Sequence, residues 1–157
     1  MNQKPVLVSC GADWVYGYNP RTGEELWKLK YGILGFSNVS RPIAGHDMFY
    51  LSTCFMKAEI HAYRYEGLDT PELVWKMTKG APKMPSPLLV GKQLYVMNDG
   101  GILTCVDART GELHWRERIG GEFSSSPTFA NGLLYFSDRE GKTIVIKPGK
   151  ELKVIAE

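Results

Sequence analysis

Asp107-Ala108-Arg109-Thr110-Gly111-Glu112-Leu113-His114-Trp115 repeats, with small changes, the earlier stretch Asn19-Pro20-Arg21-Thr22-Gly23-Glu24-Glu25-Leu26-Trp27. Both contain Arg-Thr-Gly-Glu, and both place a Trp four residues after the Gly. A looser copy runs from Ile60 to Trp75, and a degenerate one, without Trp, from Ile144 to Val154. Trp27, Trp75 and Trp115 are therefore spaced 48 and 40 residues apart. A second marker keeps a similar period. Pro42, Pro87 and Pro127, spaced 45 and 40 residues apart, each precede a short stretch, a Gly-containing turn and an apolar run. Two independent markers with one period define an internal repeat of the length that signals propellers or solenoids.

Inside each repeat the pattern is that of strands. Apolar runs of four to seven residues, rich in Val, Ile, Leu, Tyr and Phe, are separated by Gly, Asn, Asp and Pro. No stretch sustains a helical period with caps. In the third repeat four strands, A to D, are expected near Ser86–Val90, Gln93–Asn98, Ile102–Asp107 and Glu112–Glu117, with Asn98-Asp99-Gly100-Gly101 as the B–C turn. Four-stranded antiparallel units at this period read as β-propeller blades.

The fold class expected is all-β: one domain over residues 1–157, with blades near 5–30, 39–78, 85–117 and 124–155. The first repeat supplies only strands B (Val6–Cys10), C (Trp14–Asn19) and D (Glu24–Lys30), so the count is 15 strands. An arc of four blades open at both ends, part of a larger ring, is expected from that count, with self-association or missing flanking blades covering its apolar ends.

Composition narrows the function classes. Nineteen basic against 17 acidic residues give a net charge of +2, and the basic residues are dispersed. Nucleic-acid binding, which needs a basic stripe, is not indicated. No window approaches the length of a membrane-spanning helix, and residues 1–5 lack a signal-peptide pattern. Cys10, Cys54 and Cys105 form no C-x-x-C and have no His at metal-ligand spacing, so they read as free thiols. His46, His61 and His114 are scattered, and no metal site is expected.

The Asp107–Trp115 and Asn19–Trp27 stretches, with the Ser86-Pro87 and Ser126-Pro127 strand entries, resemble the tryptophan-docking repeats of the pyrroloquinoline-quinone (PQQ)-like propeller family. The resemblance implies that Trp27, Trp75 and Trp115 pack between blades. It also gives Gly23, Gly111 and Asp107 structural roles in the turns they pack on. The family includes quinone-dependent dehydrogenases, which hold Ca²⁺ beside a catalytic Asp, and cofactor-free members such as the outer-membrane assembly lipoprotein propeller. No adjacent Cys pair of the alcohol-oxidising type is present, and the resemblance is closer to the cofactor-free members. It implies a non-catalytic protein- or peptide-binding scaffold with no cofactor, periplasmic or exported if the chain is part of a longer one. A blade set from a quinone-dependent dehydrogenase is the alternative.

The binding face expected is the end where D–A loops and B–C turns emerge together, because long loops on a rigid scaffold carry function. Its candidate contacts are Phe36, Arg41, Lys83, Met84 and Phe123, with Leu34, Lys79 and Glu122 nearby. Trp14 lies outside the register of the other three tryptophans and joins them as a candidate contact.

Overall fold

The computed structural model describes residues 5–32, 37–53, 56–66 and 70–157. Among them run fifteen strands and no helix. The first sheet holds β1 (Leu7–Cys10), β2 (Trp14–Tyr18) and β3 (Glu25–Lys30). The second holds β4 (Ile43–Gly45), β5 (Met48–Ser52), β6 (Ile60–Arg64) and β7 (Glu72–Met77). The third holds β8 (Leu88–Val90), β9 (Gln93–Met97), β10 (Ile102–Asp107) and β11 (Leu113–Arg118). The fourth holds β12 (Thr128–Ala130), β13 (Leu133–Ser137), β14 (Thr143–Lys147) and β15 (Lys153–Ala156). In each sheet, strands consecutive in sequence pair antiparallel. This is an all-β, propeller-like array of four blades.

The expected third-repeat strand A began at Ser86, but β8 begins at Leu88. Pro87 has no N–H to give a ladder, so the strand starts after it. In the fourth sheet, strand D was expected over Glu151–Ile155 and runs over Lys153–Ala156 instead.

One irregularity recurs in every sheet. The register between strands C and D shifts between Gly17 and Tyr18, Ala62 and Tyr63, Cys105 and Val106, and Val145 and Ile146. A bulge bends its strand and re-aims the side chains beside it. The residues before the shift face Trp27, Trp75, Trp115 and Ala156. Ala156 thus holds the place of the tryptophan in the fourth sheet. The small residue across from each indole has a steric reason. A Cβ on Gly17 would lie 2.1 Å from the Trp27 ring.

Burial follows from stacking rather than from any single sheet. Val15 and Trp27 of the first sheet pack on Phe49, Leu51 and Tyr63 of the second. Met48, Tyr50, Ala62 and Met77 of the second pack on Leu94, Val96 and Val106 of the third. Tyr95, Leu103 and Trp115 of the third pack on Leu134, Phe136, Ile144 and Ile146 of the fourth. Among the described residues neither a strand pairing nor one of these three cores joins the fourth sheet to the first, so the array is an open arc. Its first outer face shows Leu7, 56% exposed, beside stacked Tyr16 and Tyr18 rings 5.9 Å apart.

Candidate functional site

The D–A loops and B–C turns meet at one end of the sheets and are tied together there by backbone groups. The Lys83 N–H donates to the Asp99 carboxylate at 2.7 Å, and the Phe123 N–H to the Asp99 carbonyl at 2.9 Å. The Ile119 N–H donates to the Gly101 carbonyl, and the Arg139 N–H to the Glu122 carbonyl. In the first sheet the Tyr31 N–H reaches the Asp13 carbonyl, and the Tyr31 hydroxyl and Asn38 amide both donate to the Gly11 carbonyl. These bonds hold the connecting segments in one shape, which is what a recognition surface on loops requires.

The candidate contacts fare differently on this surface. Arg41 and Lys83 are exposed. Met84 is half-buried, its sulfur 3.8 Å from the Arg139 guanidinium, which also pairs with Glu122 at 3.3 Å. Phe123 is a correction. It is 1% exposed and belongs to the core between the third and fourth sheets, so it anchors its loop and meets no partner. Phe36, like Leu34 and Cys54, lies outside the described residues. Trp14 is half-buried on the outer face of the first sheet, where its carbonyl accepts from the Gly11 N–H across the B–C turn. The ammonium groups of Lys28 and Lys30 each sit 5.7 Å from its ring centre.

At the opposite end of the sheets, C–D turns receive the indoles. The Trp75 N–H donates to the Ala108 carbonyl at 3.0 Å, and the Trp115 N–H to the Gly149 carbonyl at 3.2 Å. The Tyr95 hydroxyl accepts from the Gly149 N–H at 2.8 Å, gripping the same turn. Asp107 shapes the turn under Trp75 by accepting from the Arg109 and Thr110 N–H groups, each at 3.0 Å. Burial pushes its carboxyl upward, but these bonds prevail and hold it below the usual range. Trp27 differs: its indole N–H has no well-formed partner among the described residues.

A further cluster combines Glu59, His61 and Tyr63, all buried. His61 Nε2 lies 2.8 Å from the Glu59 carboxylate and Nδ1 lies 3.1 Å from the Tyr63 hydroxyl. Lys57 pairs with the other Glu59 oxygen at 2.9 Å. Burial works against the Glu59 charge, yet the His61 bond and Lys57 outweigh it and keep the carboxyl below its ordinary range. Desolvation pushes the Tyr63 phenol up to about 12, so it is no nucleophile near neutral pH. The cluster is a polar ladder within the second sheet, and from the end of the first sheet the Tyr31 ring meets His61 edge-on. Its signal was present in the sequence, since His61 and Tyr63 alternate along β6 and Glu59, one residue before it, keeps the same period.

The fold and the turns under the indoles place the chain among known proteins. A family profile described as outer membrane protein assembly factor BamB, of the PQQ_2 repeat type, matches residues 11–150. The chain belongs to this family. It is 33% identical over 82 residues to outer membrane protein assembly factor BamB of Burkholderia pseudomallei (strain K96243), covering 50% of this chain and 22% of that protein. The crystal structure of BamB from Moraxella catarrhalis superposes with a TM-score of 0.68 at 18% identity, over 90% of this chain and 42% of that one. The computationally designed Ika4 protein superposes at 0.71 with 14% identity, over 95% and 88%. At these identities the two structures speak for the fold alone. The chain thus spans less than half the length of the BamB proteins it matches, and its repeats are closer to BamB than to quinone dehydrogenases. Among the described residues no helix is long and apolar enough to cross a membrane.

Proposed function

We propose that this chain is a non-catalytic propeller module of the outer-membrane assembly type that binds a protein or peptide partner through its D–A and B–C loop face. The observation that carries this reading is the stitched loop surface. Asp99 alone fixes two loop segments, and the surface so held presents Arg41, Lys83, Met84 and Arg139. Exposed cations beside a polarisable thioether suit a partner with acidic and apolar side chains. Membership of the BamB family supports the biological setting, and a periplasmic location goes with it. In this reading Trp14 is a separate contact on the first outer face.

The test is a pull-down of solubilised cell-envelope proteins with the chain and with an Arg41→Ala/Lys83→Ala/Arg139→Ala variant, quantified by mass spectrometry. Loss of a specific partner on substitution, with an unchanged melting temperature, is the expected result. Equal recovery by both chains would overturn the assignment of this face.

A further inference from the structure

The register shift shared by the sheets puts matching residues in line. Glu59, His61 and Tyr63 of the second sheet stand where Ile102, Thr104 and Val106 stand in the third, and Lys142, Ile144 and Ile146 in the fourth. These positions face the preceding sheet. Val106, Ile144 and Ile146 are buried there in apolar cores. The second sheet instead buries a carboxylate and an imidazole, at 2% and 4% exposure. Stacking of blades does not need them, and a buried charge is costly until it is paired.

Glu59, His61 and Tyr63 line a cavity of about 530 Å³, with Leu29 of the first sheet on one side and Lys57, Leu73 and Lys76 on the other. That size suits a small molecule. The β6–β7 pairing sets Lys76 across from His61 and Leu73 across from Tyr63, so all four share the face turned to the cavity. In the third sheet the matching cation, Arg116, donates to the Thr104 hydroxyl at 3.2 Å. Lys76 has no hydrogen-bond or ion-pair partner among the described residues. The polar wall behind it is saturated: Glu59 is engaged by His61 and Lys57, and the second His61 nitrogen by Tyr63. Lys57 and Lys76 against the single charge of Glu59 leave this wall net positive.

We propose that this cavity binds a small amphiphilic anion, its carboxylate, sulfonate or phosphate group held by Lys57 and Lys76 and its apolar body lying on Leu29 and Leu73. Glu59 holds Lys57 at the mouth, and His61 and Tyr63 hold Glu59. The ladder thereby fixes the site before a ligand arrives, which lowers the cost of binding. The proposal is independent of the loop-face reading.

The test uses the fluorescent dye anilinonaphthalene sulfonate and its uncharged parent, N-phenylnaphthylamine, each added to the whole chain. The sulfonate should bind saturably, and the NMR signals of the His61 and Tyr63 rings should shift in step with the fluorescence. The parent, which lacks the anion, should bind about tenfold more weakly. Lys76→Glu, at an exposed position, should weaken the sulfonate by a similar factor with an unchanged melting temperature. Lys28→Glu, beside Trp14 on the outer face, should leave its affinity unchanged. No saturable binding, equal affinity for the two dyes, equal losses for the two lysine variants, or unmoved His61 and Tyr63 signals at saturation would each overturn the proposal.

Discussion

The indole N–H of Trp75, on the second sheet, donates to the carbonyl of Ala108, on the turn of the third, at 3.0 Å. The same ring lies against Gly111, where a Cβ would come within 2.7 Å of it. One side chain therefore reads both the polarity and the shape of the neighbouring blade. Trp115 makes the corresponding bond to Gly149.

Trp115→Ala should cost about 3–5 kcal/mol in urea melts, as for other large-to-small core changes. Trp115→Phe should keep most of the packing and lose about 1 kcal/mol with the N–H···O bond. Trp14→Ala should cost about 1 kcal/mol or less, because it removes lysine–ring contacts on an outer face. Equal losses for Trp14 and Trp115 would place Trp14 in the core.

Gly23 and Gly111 form a matched pair. Their φ values are 75° and 74°, yet a Cβ on Gly23 meets nothing within 4 Å while one on Gly111 strikes the Trp75 ring. Both Ala variants carry the left-handed strain, of order 1 kcal/mol. Gly111→Ala should lose at least about 1 kcal/mol more, from overpacking. The difference between their denaturant midpoints measures the seat alone.

Glu59 sets an acid limit. Its folded carboxyl titrates below its ordinary range, so the stability it contributes is present above about pH 4.3 and is lost as pH falls through the folded value. Melting temperatures from pH 6 to pH 3 should fall for the wild-type chain and fall less for Glu59→Gln. That variant starts lower, by about 1–3 kcal/mol, having lost a charged hydrogen-bond partner. Parallel pH curves for the two chains would assign the acid sensitivity elsewhere.

Burial pushes the thiols of Cys10 and Cys105 up to about 11. Both should resist iodoacetamide at pH 8 in the folded chain and react after unfolding. Peptide mass spectrometry reads each site separately, and fast labelling of Cys105 in the native state would show that the third and fourth sheets separate readily.

The outer faces of the arc should drive association. Leu7, Tyr16 and Tyr18 at one end, and Tyr135 and Val145 at the other, are incompletely covered in the single chain. Light scattering at micromolar concentration should give a mass above that of one chain. A clean single-chain mass would show that these faces tolerate water.

The repeat fixed most of the fold in advance, because alternation, turn residues and the Trp period are local patterns with local causes. Gln93, Ile102 and Trp14 begin strands where the apolar runs begin, and fifteen strands follow from counting those runs. The exposure of Lys83 and Arg41 was legible, since charged loop residues stay in water. What the sequence could not supply was the partner of each side chain. Phe123 looked like a loop aromatic open to solvent until the fourth sheet closed over it. Glu59, His61 and Tyr63 stood in plain alternation, and their bonds to one another are local, but the packing over Tyr63 and His61 comes from the first sheet and the segment after it. Trp27 shares the Arg-Thr-Gly-Glu turn and the Trp spacing of Trp115, yet its N–H ends without the bond Trp115 makes. The pattern along a strand decides which face a residue takes, whereas burial and hydrogen bonding depend on what the next blade brings to that face.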